Sequence, residues 1–86
     1  MEVGVTQLEK LIARLRRRPP EADFHDIRQL LEACGWTLDR ETGSHTFFVK
    51  AGERAISVPK VGGRKVKRVY IIQVLEHLGL EASDGD

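Results

Sequence analysis

Residues 36–59 have the sequence WTLDRETGSHTFFVKAGERAISVP, in which hydrophobic and polar side chains tend to alternate. Alternation of this kind is typical of β-strands that bury one face. Glu41-Thr42-Gly43 and Ala51-Gly52-Glu53 predict the turns between strands, and Pro59 ends the last strand. The strands are expected at about 36–39, 44–50 and 54–58. Connections this short join only antiparallel neighbours, so the sequence predicts a three-stranded antiparallel meander.

Helical spacing of hydrophobic residues precedes and follows this stretch. A helix is predicted to begin at Asp23 as N-cap and to end at Gly35, and another runs from about Lys67 to Leu78, with Gly79 as its C-cap. An earlier helix begins near Thr6 and is stopped by the two prolines that follow its arginine run. The hydrophobic stripes of the three helices are, in chain order, Val5, Leu8, Leu11, Ile12 and Leu15; Phe24, Ile27, Leu30, Leu31 and Cys34; and Ile71, Val74, Leu75 and Leu78.

The fold class that follows is α+β. A three-stranded sheet cannot be covered on both faces by so few residues, so we expect both flanking helices on one face and solvent on the other. The expected organisation is an N-terminal helical extension at 1–20, a core domain at 21–80 and a disordered acidic tail at 81–86. For the first helix we favour docking on the core, because an isolated amphipathic helix of this length is marginal in water. Dimerisation through its leucine stripe is an alternative.

Composition limits the classes of function. The chain has 86 residues, 41% hydrophobic and 31% charged, which excludes a disordered protein and predicts one domain. The single cysteine, Cys34, is expected to be buried and cannot form an internal disulfide. No segment is long enough to span a membrane, so a cytoplasmic location is expected. Net charge is only +1, but the stretch from Lys60 to Arg68 holds five basic and no acidic residues. These charges either solvate a loop or bind an anionic partner.

His45 is the candidate for acid–base chemistry, because it opens a strand directly after a turn. Alternation places Phe47 on its face and Thr46 and Phe48 on the other, without showing which aromatic ring points away from the helices. A histidine beside an exposed ring would lie next to a platform for a stacked base. Ser44 cannot share a catalytic hydrogen bond with His45, because adjacent strand residues face opposite ways. His25 and His77 are expected to be surface or structural residues, and no metal-site or cofactor-binding motif is present.

Residues 24–80 resemble the HicA family of bacterial toxins. The residues that carry the resemblance follow one another along the chain: Gly35-Trp36 after a short helix, Arg40 in the strand that follows, Gly43-Ser44-His45 opening the second strand with Phe48 behind it, Ser57-Val58-Pro59 ending the third, Gly62-Gly63 in the next loop, and Lys67 before a helix that ends in Leu78-Gly79-Leu80. It implies a fold like that of double-stranded-RNA-binding domains and an endoribonuclease that cleaves messenger RNA. It also implies that His45 is catalytic and that a HicB antitoxin covers the active site.

The residues allow a chemical account of that role. RNA carries its own nucleophile, so a protein need only move protons and stabilise phosphate charge, and neither a metal nor another cofactor is expected. Gly43 and Ser44 would support the turn. Residues expected to contact single-stranded RNA are Phe47, Lys60, Arg64, Lys65, Lys67 and Arg68. Many family members have a second histidine or another polar residue where this chain has Thr46. A non-catalytic RNA-binding module is the alternative function, and a protein-interaction module that uses the first helix is a third option. A homodimer is left open, as is an extension of RNA binding by the arginines of the first helix.

Overall fold

The computed structural model describes residues 3–81, which form three helices, a three-stranded sheet and a separate two-stranded sheet. The elements in chain order are α1 (Val3–Arg16), β1 (Glu21–Asp23), α2 (Phe24–Ala33), β2 (Thr37–Thr42), β3 (His45–Val49), β4 (Ile56–Pro59), β5 (Lys65–Lys67) and α3 (Arg68–Leu78). The α+β class and the expected helices are therefore confirmed. Helix α1 begins at Val3, earlier than the predicted start at Thr6.

Strands β2, β3 and β4 form the predicted antiparallel meander, in that order. Thr42 pairs with His45 across the first hairpin, and His45 pairs with Pro59 across the second. Two boundaries differ from the prediction by more than one residue. Strand β2 continues through Thr42, so the turn is shorter than expected, and β4 begins at Ile56 rather than Arg54. Glu41 and Thr42 were predicted to belong to a turn because they are polar. They instead end β2, on an exposed part of the sheet where polar side chains are compatible with a strand.

The two faces of β3 have opposite environments. The side chains of Thr46 and Phe48 are fully buried against the helices, whereas His45 and Val49 are exposed and Phe47 is half-buried on the other face. The Phe48 ring packs 6.1 Å from the ring of Phe24, measured between centroids. The choice that alternation left open is thereby decided: Phe48 belongs to the core and Phe47 lies beside His45.

Helices α2 and α3 supply six of the thirteen buried hydrophobic residues of the described chain. The buried hydrophobic residues are Leu11, Leu15, Ile27, Leu30, Leu31, Trp36, Phe48, Ile56, Val58, Val66, Ile71, Val74 and Leu75. Gly79 ends α3 in the left-handed conformation, with φ of 71°, as the sequence predicted. Cys34 is only half-buried rather than buried, and its carbonyl oxygen accepts a hydrogen bond from the Lys50 ammonium at 3.0 Å.

The two-stranded sheet of β1 and β5 was not predicted. Ala22 pairs with Val66 between these strands, and three residues per strand are too few to show a period in the sequence. Asp23 occupies the N-cap position of α2, as expected, but its side chain does not cap the helix. Its carboxylate instead accepts a hydrogen bond from Lys65 at 2.8 Å, which lowers the pKa of Asp23 below its usual value.

Helix α1 docks on the core, as favoured from the sequence. Leu15 is 1% exposed, and α1 contacts both α2 and α3. Polar contacts hold its C-terminal end: Arg14 pairs with Asp26 at 3.1 Å, and the Arg16 side chain donates to the carbonyl oxygen of Leu80 at 2.6 Å. Of the predicted acidic tail, only Glu81 is among the described residues, and it pairs with Arg18.

Candidate functional site

The turn before β3 is a two-residue hairpin loop made of Gly43 and Ser44. Gly43 has φ of 61°, and Ser44 does not have a positive φ, the pattern of a type II′ turn with glycine in its first central position. The Ser44 carbonyl oxygen accepts a hydrogen bond from the Lys60 backbone N–H at 2.7 Å. The backbone that carries His45 is therefore held by strand pairing on both sides and by the residue that follows β4.

His45, Phe47 and Arg40 form a row across the exposed face of the sheet. The His45 and Phe47 rings are nearly parallel, with centroids 6.5 Å apart and an interplanar angle of 21°. The Arg40 guanidinium carbon lies 4.8 Å from the centroid of the Phe47 ring, within cation–π range. The row thus combines a group that can transfer protons, an aromatic surface and a fixed positive charge on one side of the sheet.

Arg40 carries part of the family resemblance, but the sequence did not identify it as a functional candidate. Leu38 pairs with buried Phe48, so strict alternation would turn Arg40 toward the helices as well. The pairing register shifts between Leu38 and Arg40, a β-bulge that brings Arg40 opposite Phe47 on the exposed face. The arginine was visible in the sequence, but no residue in that stretch identifies the bulge.

The five basic residues between positions 60 and 68 have different positions and different partners in the fold. Lys60 is close to the His45 turn, but its side chain is only 12% exposed. It pairs with Glu41 and lies 4.7 Å over the ring of Phe24. Lys65 is engaged by Asp23, although both side chains remain partly exposed. Lys60 was expected to contact RNA, but in the fold its ammonium group already has Glu41 and the Phe24 ring as partners.

The other predicted cations have separate positions. Arg64 is exposed and lies near the start of α2, where its carbonyl oxygen accepts a hydrogen bond from the Phe24 N–H at 2.7 Å. Lys67 is exposed at the N-cap position of α3. Arg68 points toward the proline pair, with its Nε 3.4 Å from the Pro19 carbonyl oxygen. Only part of the predicted basic set is thus placed near His45.

The two remaining histidines differ in their surroundings. The His77 ring meets the buried Trp36 edge-on, with centroids 5.4 Å apart, which agrees with the structural role expected for it. His25 is exposed and lines a cavity at the start of α2. Within residues 3–81, no cluster of three metal-ligating side chains forms, and no helix is both long and apolar enough to cross a membrane.

The fold and site define a small α+β protein whose three-stranded sheet is covered by helices on one face and carries an exposed histidine on the other. The family model described as the HicA toxin of bacterial toxin-antitoxin systems matches residues 24–80, about two-thirds of the chain. The protein belongs to this family, and it is therefore a toxin of the toxin-antitoxin kind. Comparison with curated proteins and with solved structures found no match.

Proposed function

We propose that this toxin is an endoribonuclease that cleaves messenger RNA, with His45 transferring a proton in the reaction. The observation that carries the proposal is the placement of His45 on the exposed sheet face, in one row with Phe47 and Arg40. The segment that holds this row lies within the family match. A bacterial toxin acting on messenger RNA would work in the cytoplasm, and its antitoxin would be of the HicB type.

The reaction would use the 2′-hydroxyl of RNA as nucleophile. His45 either accepts the proton of that hydroxyl as it attacks the phosphorus, or donates a proton to the 5′-oxygen that leaves. The products are then a 2′,3′-cyclic phosphate and a free 5′-hydroxyl, and no metal ion is needed for either proton transfer. Arg40 would stabilise the negative charge that develops on the phosphate, and a base next to the cleaved bond would stack on Phe47.

The neighbour of His45 takes no direct part in this chemistry. Thr46 is fully buried, and its hydroxyl donates a hydrogen bond to the Val58 carbonyl oxygen at 2.7 Å. A polar residue at this position therefore faces the helices rather than the substrate. We infer that any second proton-transfer group comes from the exposed face, from a water molecule or from the RNA itself.

Replacing His45 tests the assignment. Purified wild type, His45→Ala and His45→Gln are incubated with end-labelled single-stranded RNA in the presence of EDTA. We expect cleavage by the wild type and a loss of about 100-fold or more in both variants, because proton transfer by a positioned side chain contributes about that factor. Melting temperatures close to that of the wild type control for folding.

Two outcomes would contradict the proposal. Cleavage by His45→Ala at the wild-type rate removes His45 from the reaction. Salt-sensitive RNA binding by the wild type, without products in EDTA or with added Mg²⁺, instead favours a non-catalytic RNA-binding module.

A further inference from the structure

A cavity of about 360 Å³ lies at the start of α2, and none of His45, Phe47 and Arg40 lines it. It is lined by Asp23, Phe24, His25, Arg28, Gly63 and Arg64. Its volume falls at the lower end of the range for small-molecule sites, which is enough for one nucleotide. The Phe24 N–H is already bonded to the Arg64 carbonyl oxygen, so the polar groups the cavity offers to a ligand are side chains.

These side chains favour an anion. Arg64 has no side-chain hydrogen bond or ion pair within the described part of the chain. Arg28 pairs with Glu32 at 2.9 Å, but both side chains are about half-exposed, and such surface pairs are weak enough to be exchanged for a phosphate. Asp23 is the one acidic side chain of the lining, and Lys65 neutralises it.

The cavity is close to the turn that carries His45. Lys60 connects the two, since its backbone N–H bonds to Ser44 and its ammonium group lies over the Phe24 ring. Phe24 forms part of the cavity wall. Because Phe24 packs on the helix side of the sheet, an RNA strand would pass from the exposed face near His45 and past Lys60 to reach Arg28 and Arg64.

We propose that this cavity is a second RNA-binding subsite, which holds a nucleotide a few positions from the cleaved bond. Arg28 and Arg64 bind its phosphate, His25 adds a hydrogen-bonding ring nitrogen, and the Phe24 ring supplies an apolar wall. This inference rests on the proposed ribonuclease function for its substrate. It assigns RNA contacts to α2, which the sequence had placed outside the functional site.

Binding measurements test the subsite without cleavage. A His45→Ala background is combined either with Arg28→Gln and Arg64→Gln or with the control pair Arg17→Gln and Arg54→Gln, which removes equal charge from exposed positions outside the cavity. Affinity for a fluorescent single-stranded RNA oligonucleotide is measured over a range of salt concentrations. We expect the cavity pair to weaken binding about tenfold and to reduce the salt slope by about 0.7 for each phosphate that the protein no longer neutralises. Equal weakening by the two pairs would overturn the subsite.

Cleavage kinetics in the His45-containing protein separate this proposal from the general function. On a dinucleotide, which spans only the cleaved bond, the cavity pair and the control pair should have the same KM. On a longer RNA, it should raise KM about tenfold with kcat unchanged, since phosphate contacts remote from the reacting atoms add to binding alone. A wild type that cleaves neither substrate refutes the ribonuclease proposal, and the binding comparison still decides on the cavity. Cleavage with the same KM in the cavity and control pairs refutes the subsite only.

Discussion

Phe47 and Phe48 are adjacent in sequence but should respond to substitution in opposite ways. The Phe48 side chain is fully buried and packs against Phe24, so Phe48→Ala leaves a cavity and should lower the free energy of unfolding by about 3–5 kcal/mol. Small domains have a total stability of about 5–15 kcal/mol. A domain of this size loses at least about 4 °C of melting temperature per kcal/mol, so Tm should fall by about 12 °C or more. Phe47→Ala removes a half-exposed cross-strand contact with Arg40, worth only about 0.2–1 kcal/mol.

The assay for stability is urea and thermal unfolding followed by the fluorescence of Trp36, the one tryptophan of the chain, which is 4% exposed. RNA affinity is measured in a His45→Ala background. There Phe47→Ala should weaken binding about 5- to 150-fold, because base stacking on an aromatic side chain contributes about 1–3 kcal/mol. Phe47→Tyr, which keeps the ring, is the matched control. A loss of stability as large for Phe47→Ala as for Phe48→Ala would refute the assignment of the two faces, and unchanged RNA affinity would refute the stacking role.

Three further predictions concern contacts within the fold. Thr46→Val keeps the side-chain shape but removes the hydrogen bond to the Val58 carbonyl oxygen. It should lower the free energy of unfolding in urea by about 1–3 kcal/mol and leave RNA cleavage unchanged, and a large loss of cleavage by the folded variant would argue against this buried role. Lys65→Met should raise the pKa of Asp23 toward 3.8, observed by carboxyl NMR titration. Because the pKa of Asp23 is lowered in the folded protein, the carboxylate stabilises the fold above pH 3.8, and this stabilisation is lost as the pH falls through the pKa of the folded state. The Lys65→Met variant should lack that part of the acid dependence of stability. An unchanged pKa of Asp23 in the variant would exclude Lys65 as the cause of the lowered pKa. Leu15→Ala should lower the free energy of unfolding by about 2–5 kcal/mol, measured by thermal unfolding, because Leu15 of α1 is buried in the core. A smaller decrease would mean that α1 adds little to stability.

Much of the fold follows from local patterns in the sequence. The periods of two and of three to four residues identify the meander and the three helices, because each depends only on which side chains must share a buried face. Gly79 could be predicted as a helix end for a similarly local reason, since glycine adopts the left-handed conformation without steric cost. His45 could be singled out because its position after a turn at the start of a strand is also a local property.

Other features depended on how distant segments meet. Alternation places Phe47 and Phe48 on opposite faces of β3, but only the packing of the helices decides which face is buried. The bulge before Arg40 depends on the pairing of β2 with β3, and it brings the arginine opposite Phe47 on the exposed face. The pairing of Glu21–Asp23 with Lys65–Lys67 joins segments more than forty residues apart.

The sequence by itself therefore determined the three helices of this toxin, its three-stranded meander, their order and the candidate histidine. The tertiary structure alone decided which side chains accompany that histidine, and it divided the basic residues between internal ion pairs and the exposed surface. The physical reason is that the hydrophobic period of an element shows only which of its own side chains share a buried face. The partners of a side chain depend on register and on contacts between elements, and no local pattern encodes these.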